Sequence, residues 1–141
     1  MTITTGFYYI KGKDGYLGRM LAEDRSLLPK RVVTLPDREA GQSRWLLEAT
    51  SNNEYKILNN GATLIGIDGM AFARLLPEPY PDMRWLLTAV DEGKNQYTVK
   101  AVAENYFLTG QAETFDQATV TPTSSGDAST LTFEKAEDFD Y

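Results

Sequence analysis

The feature that most narrows the fold of this chain is a pattern that occurs three times. An aromatic-x-aliphatic segment opens each copy, as Tyr8-Tyr9-Ile10, Tyr55-Lys56-Ile57 and Tyr97-Thr98-Val99, at intervals of 47 and 42 residues. Each is followed by a turn and a second apolar segment ending near glycine. These are Tyr16-Leu17-Gly18 after Gly12-Lys13-Asp14-Gly15, Leu64-Ile65-Gly66 after Asn59-Asn60-Gly61, and Phe107-Leu108 with Gly110 after Ala103-Glu104-Asn105. Two apolar runs around a Gly, Asn or Asp turn make a hairpin. The second half of each copy recurs too: Thr34-Leu35-Pro36, Leu75-Leu76-Pro77 and Val120-Thr121-Pro122 lead through variable loops into Ser43-Arg44-Trp45, Met83-Arg84-Trp85 and Leu131-Thr132-Phe133. Repeats of tens of residues constrain an architecture before any local preference does.

Four strand-like segments in each of three units give twelve short strands, with almost no 3.6-residue apolar periodicity between the Gly, Asn, Asp and Pro turns. The leucine-bearing stretches 26–29 and 71–77 are short and end in proline, so they are expected to be loop or strand rather than helix. The expected fold is all-β, a β-trefoil without disulfides: three pseudo-repeats, near 1–50, 51–91 and 92–141, in one domain spanning 1–141. Six strands close a barrel and three hairpins cap one end, which satisfies edges that would otherwise invite further pairing. Tyr8, Tyr55 and Tyr97, with Trp45, Trp85 and Phe133, are expected inside at equivalent places. At 141 residues a single core suffices without staples.

The absence of both Cys and His removes Cys/His zinc sites, thiol nucleophiles, haem ligation by His and every Ser-His-Asp arrangement. The carboxylates of 134–141 form an acidic end and pairs such as Asp91-Glu92 sit in expected turns, with no sign of the cleft that paired catalytic carboxylates need. We therefore expect no enzyme activity, no cofactor and no metal. A net charge of −6 without a basic stripe makes nucleic acid and anionic lipid unexpected partners. Residues 1–6 have no basic region leading into an apolar run, and no stretch approaches 18 apolar residues, so a cytoplasmic protein is expected. A carbohydrate-binding trefoil is the alternative that the fold supports, although Ser43-Arg44-Trp45 and Met83-Arg84-Trp85 stand where a sugar-binding Gln-x-Trp would be expected.

If the repeat is a frame, function belongs where one copy departs from the others. From the glycine that closes the second segment to the residue before the repeat proline there are 17 positions in the first unit (Gly18 to Leu35), 10 in the second (Gly66 to Leu76) and 11 in the third (Gly110 to Thr121). The extra residues lie within 19–32, which carry Leu21, Arg25, Leu27, Leu28, Pro29 and Lys30. An extended, proline-stiffened loop showing a basic and two leucine side chains has the chemistry of a bait for a serine protease, which binds a strand-like segment and reads one side chain in a pocket. The competing arrangement folds the loop back, buries its leucines and pairs Arg25 with Glu23 or Asp24. Asn59-Asn60-Gly61 is expected to be a tight hairpin turn.

Gly6-Phe7-Tyr8-Tyr9-Ile10, Tyr16-Leu17-Gly18-Arg19, the segment from Glu23 to Lys30 and the spacing from Pro36 to Trp45 together resemble the fungal fruiting-body β-trefoil protease inhibitors of the cospin and cnispin group, related to the mycocypins. The resemblance implies a monomeric inhibitor of trypsin-like serine proteases that defends the fungus against animals eating it. In that group one inhibitory loop joins the second and third strands, here residues 21–31. Asp24, Arg25, Ser26, Leu27, Leu28, Pro29 and Lys30 are the expected contact residues. Arg25 is the first choice for the specificity pocket and Lys30 the second, with Leu27 suited to a chymotrypsin-like target. Leu28 is disfavoured because Pro29 would follow the bond. Another family loop, between the eleventh and twelfth strands, corresponds to 123–129 and holds no Lys or Arg. In the mycocypins an asparagine between the fifth and sixth strands is bait for asparaginyl proteases, which makes Asn59 and Asn60 a possible second inhibitory loop and inhibition of cysteine or asparaginyl proteases a further alternative. With no disulfide to reduce and no unperturbed side chain titrating between about pH 5 and 8, inhibition is expected to survive reducing agent and to be set at neutral pH mainly by the protease. A sharp loss of protease binding on reducing the inhibitor alone would contradict this.

Overall fold

The computed structural model describes residues 3–20, 22–38, 40–76, 82–110, 113–123 and 129–136. Twelve strands follow one another: β1 (Gly6–Lys11), β2 (Tyr16–Arg19), β3 (Lys30–Leu35), β4 (Arg44–Ser51), β5 (Glu54–Asn59), β6 (Ala62–Ile67), β7 (Met70–Arg74), β8 (Trp85–Asp91), β9 (Gln96–Ala101), β10 (Phe107–Leu108), β11 (Val120–Thr121) and β12 (Leu131–Lys135). A single helical turn, α1 (Ala40–Ser43), precedes β4, and a 3-10 turn at Glu92–Lys94 joins β8 to β9. The stretch beginning at Ala71 is strand, as its length suggests, and 25–28 is a bent loop.

Six strands pair in a ring. β1 lies beside β4, β4 beside β5, β5 beside β8, β8 beside β9, β9 beside β12, and β12 returns to β1, every contact antiparallel. The hairpins β2–β3, β6–β7 and β10–β11 close one end. β3 pairs with β7, while isolated bridges from Val33 to Gln117 and from Met70 to Thr119 join the third hairpin to the other two. This is the β-trefoil expected from the repeats. The turns follow from their residues: Asn60-Gly61 and Asp68-Gly69 hold φ of 49°, 83°, 50° and 81°, the paired positive values of a two-residue hairpin turn.

Alternate residues of the barrel strands point inward and form one core that includes Tyr8, Trp45, Tyr55, Trp85, Tyr97 and Phe133. The indole N–H of Trp45 donates to Leu17 O at 2.9 Å and that of Trp85 to Leu64 O at 3.1 Å, so each tryptophan ties its barrel strand to the second strand of its own unit. Phe133 packs edge-on against Tyr8 and Tyr97 instead.

One equivalence is corrected by the register. Trp45 faces Tyr8 and Trp85 faces Tyr55, but the residue facing Tyr97 is Leu131. Phe133 faces Ile10, as Leu47 faces Ile57 and Leu87 faces Val99. A shift of two residues keeps a strand side chain on the same face, so Leu131 and Phe133 are both buried and the sequence pattern alone does not separate them. At the cap the first and third units meet closely: a Cβ on Gly12 would stand 2.3 Å from Gly110 O, and Lys13 N–H donates to that same oxygen at 2.9 Å.

Leu21 and the acidic end 137–141 lie outside the described residues, as does most of the 123–129 loop. Replacing Trp85 with Ala should cost about 3–5 kcal/mol, as for other fully buried large aromatics. Urea unfolding measures it, and a loss under about 1 kcal/mol would be inconsistent with this core.

Candidate functional site

The three cap hairpins end differently. Residues 68–69 alone turn β6 into β7, whereas 20–29 join β2 to β3 and 109–119 join β10 to β11. The third connection is thus also long, which counting from glycine to proline concealed because β10 and β11 are only two residues each. Its residues 113–119 lie down on the cap: Phe115 N–H donates to Thr34 O, Thr34 N–H to Asp116 O, Ala118 N–H to Val32 O and Ala71 N–H to Ala118 O. The first connection makes its hydrogen bonds differently. Those of residues 22–29 run within the loop and to its own two ends, Arg19 and Lys30.

Short polar side chains bend the loop. Asp24 Oδ1 accepts the Ser26 N–H at 3.0 Å and the Ser26 hydroxyl at 2.6 Å, while Ser26 Oγ accepts the Leu28 N–H at 3.3 Å. These are the backbone-mimicking turns that Asp and Ser favour. Below them sits Lys30, only 6% exposed. Its Nζ donates to Asp24 O at 2.9 Å, Ser26 O at 2.8 Å and Asp24 Oδ1 at 2.5 Å. An ammonium has three donors, and these three short contacts occupy them.

What the clasp holds inward decides what faces out. Leu27 and Leu28 are 62% and 68% exposed, and Arg25 is exposed between the two clasped residues. The folded-back alternative is absent: Glu23 is taken by Arg19 and Asp24 by Lys30, so neither carboxylate holds Arg25. Lys30, the second choice for a specificity pocket, is placed as a strut with its charge turned under the loop. Asp24, Ser26 and Pro29 shape the loop, with Ser26 and Pro29 half-buried.

The base of the loop is braced by the second repeat. Arg19 binds Glu23 with two hydrogen bonds, Nε to Oε2 at 3.1 Å and Nη2 to Oε1 at 2.8 Å, and its Nη1 donates to Asn59 O at 3.2 Å. Asn59 is fully buried, and its Nδ2 donates to Gln42 O at 2.8 Å and Arg44 O at 3.1 Å. Gln42 Nε2 in turn donates to Arg19 O at 3.1 Å. Asn60 is exposed but sits in the left-handed turn with its amide on Gly41 O at 2.8 Å. Asn59 and Asn60 therefore do not form an extended bait: one is interior and the other is fixed in a tight turn. The roles of Arg19 and Gln42 at the loop base escaped the sequence reading because Arg19 reaches Asn59 O 40 residues away and Gln42 reaches Arg19 O 23 residues away, and no spacing marks either pair.

The same contacts set the charge of Asp24. The hydrogen bond from Lys30, followed by those from the Ser26 hydroxyl and N–H, lowers its carboxyl from 3.8 to about 2.

A profile of the family described as peptidase inhibitor I66 matches residues 1–141. This chain belongs to the peptidase inhibitor I66 family. The I66 inhibitor is 37% identical over 100 residues to a protein of Lentinula edodes described as a serine protease inhibitor, covering 70% of this chain and 69% of that one. It also superposes on a proteinase inhibitor from Coprinopsis cinerea with a TM-score of 0.83 at 27% identity, over 96% of this chain and 100% of the other. A Polyporus squamosus lectin matches with a TM-score of 0.72 at 18% identity, over 96% of this chain and 50% of that one, a likeness of fold alone. The I66 inhibitor is thus a protease-inhibiting trefoil and not an enzyme. Because the folded carboxyl lies below its ordinary value, the Asp24 contribution to loop order is fully present above about pH 4 and is lost as pH falls through about 2. An NMR titration of the Asp24 carboxyl carbon should give a midpoint near the lower value, and an ordinary carboxylate midpoint would mean that the clasp is open.

Proposed function

We propose that this I66 inhibitor blocks trypsin-like serine proteases with the loop 22–29. Arg25 enters the specificity pocket, and the Arg25-Ser26 bond lies at the catalytic serine. The observation that carries this reading is the placement of Arg25: it is exposed, and the carbonyls on either side of it, Asp24 O and Ser26 O, are both bound by Lys30. A serine protease reads one side chain deeply, and although 25–28 is bent rather than extended as the sequence suggests, a long cation on a fixed backbone suits a pocket with an acidic floor. Holding that backbone in advance lowers the ordering cost of association. Leu27 and Leu28 follow the bond and offer apolar surface to the enzyme on its leaving-group side.

The description of the Lentinula edodes relative as a serine protease inhibitor supports the choice of protease class. The sequence of the other family loop, 123–129, favours 22–29 for a trypsin-like target because it contains no Lys or Arg. We extend the proposal to a monomer that acts from the cytoplasm of fungal tissue and meets its target proteases in the gut of an animal that eats it.

Replacing Arg25 with Ala should weaken trypsin inhibition by about 30-fold or more, the equivalent of about 2 kcal/mol for a pocket-filling anchor. The unfolding free energy should change by less than about 0.5 kcal/mol, because the side chain is exposed. Replacing it with Leu should move inhibition from trypsin towards chymotrypsin. Steady-state inhibition constants measure both. If Ala at Arg25, Leu27 and Leu28 together leaves inhibition of both enzymes unchanged, the reactive segment lies elsewhere.

A further inference from the structure

The Lys30 ammonium binds the carbonyl before Arg25 and the carbonyl after it, so one buried charge bridges the Arg25-Ser26 bond. The nitrogen of that bond is held as well, since Ser26 N–H donates to Asp24 Oδ1, which is itself bound to Lys30. Lys30 is fixed by its strand, where it pairs with Ala73 of β7. On the other side of the loop, Glu23 is fixed by two hydrogen bonds from Arg19. Leu27 and Leu28, on the leaving side, have exposed side chains, and the Leu28 N–H donates to Ser26 Oγ.

We propose that Lys30 is a positioning residue that keeps the two ends of the Arg25-Ser26 bond together when a protease cuts it, so that the cut is resealed and the inhibitor is not consumed. The inference rests on the trypsin-directed reading above. In the cutting step the hydroxyl oxygen of the protease's serine adds to the Arg25 carbonyl carbon, and its proton passes to the enzyme's general base. The carbon–nitrogen bond breaks, the Ser26 nitrogen leaves as an amine with that proton, and Arg25 is left as an ester of the enzyme. With an ordinary peptide the amine departs and water takes its place. Here Asp24 and Ser26 remain on the same ammonium, so the amine stays beside the ester at the high effective concentration of an intramolecular reaction. It adds back, the peptide bond re-forms, and the serine oxygen regains its proton.

The experiment incubates the full chain with catalytic amounts of trypsin and follows intact and cut forms by mass spectrometry. For the wild type both forms should coexist at the end point, which should be the same from intact or from cut starting material. Lys30→Met keeps the length of the stem and removes the donors. It should inhibit at first, then lose inhibition as the chain is cut about tenfold faster or more, with the end point shifted to the cut form. Lys30→Arg, which keeps the charge and donors, should recover part of the intact fraction. A merely structural role for Lys30 would lower the unfolding midpoint and weaken binding without moving the intact-to-cut ratio, and that result overturns the proposal. So does a Lys30→Met variant as durable as the wild type, or wild-type chain cut to completion without resealing. This last measurement decides the matter even if Lys30→Met fails to fold. Arg25→Ala in the same assay separates the two ideas: if it still inhibits trypsin at wild-type strength, the trypsin-directed reading itself has failed.

Discussion

The pairing of β12 with β1 closes the barrel, and the other features depend on that closure. It gives each of the six barrel strands two neighbours and leaves the three hairpins to be joined at one end, through β3–β7 and the bridges from Val33 and Met70 to the third hairpin. A closed ring has no edge from which to slip in register. Residues far apart in sequence therefore meet at fixed distances. The base of the 20–29 loop is one such meeting, where Arg19 of the first unit reaches the Asn59 carbonyl of the second. The loop inherits its position from the ring and its shape from its own side chains.

These two sources of order differ in kind. The barrel is held by buried apolar area, to which large side chains such as Trp45, Trp85 and Tyr55 contribute most per residue. The loop buries little, and its order comes from charge-assisted hydrogen bonds around a single ammonium. The unexposed position of Lys30 matters here. An exposed ion pair is weakened by water and salt, whereas a shielded ammonium with three acceptors has no better partners to leave for. Asp24 carries the opposite charge at the surface, where its solvation costs little.

Periodicity made the scaffold legible in the sequence. Tyr8, Tyr55 and Tyr97 repeat because three equivalent places in a barrel need the same side chain, and the Asn-Gly and Asp-Gly turns state their geometry locally. The third unit was read with Phe133 two residues out of register, since alternation along a strand cannot distinguish a shift that preserves the face. The extra length of the 20–29 loop was equally visible, but the sequence left Arg25 open between display and pairing with Glu23 or Asp24. The roles of Lys30 and Asn59 were not visible. Both residue types belong to the usual vocabulary of exposed bait, and only the distance from Nζ to the two flanking carbonyls, or from Nδ2 to Gln42 and Arg44, shows them turned inward. For Asn59 those partners lie on distant segments, and for Lys30 they come from the bend of its own loop, which composition does not record.

The self-contained hydrogen bonding of residues 22–29 has a consequence for how such a chain can change over generations. Asp24, Ser26 and Lys30 define the bend, and the side chains between and beyond them, those of Arg25, Leu27 and Leu28, are exposed. Substitutions at those three positions are then nearly silent for folding while they alter what the surface presents. A lineage of such proteins can vary the side chains shown on this surface by changing a few codons, with the frame under little pressure to adjust. The seam at Arg19 and Asn59 sets the limit of that freedom. A loop transplanted to another trefoil without both residues would arrive without its footing.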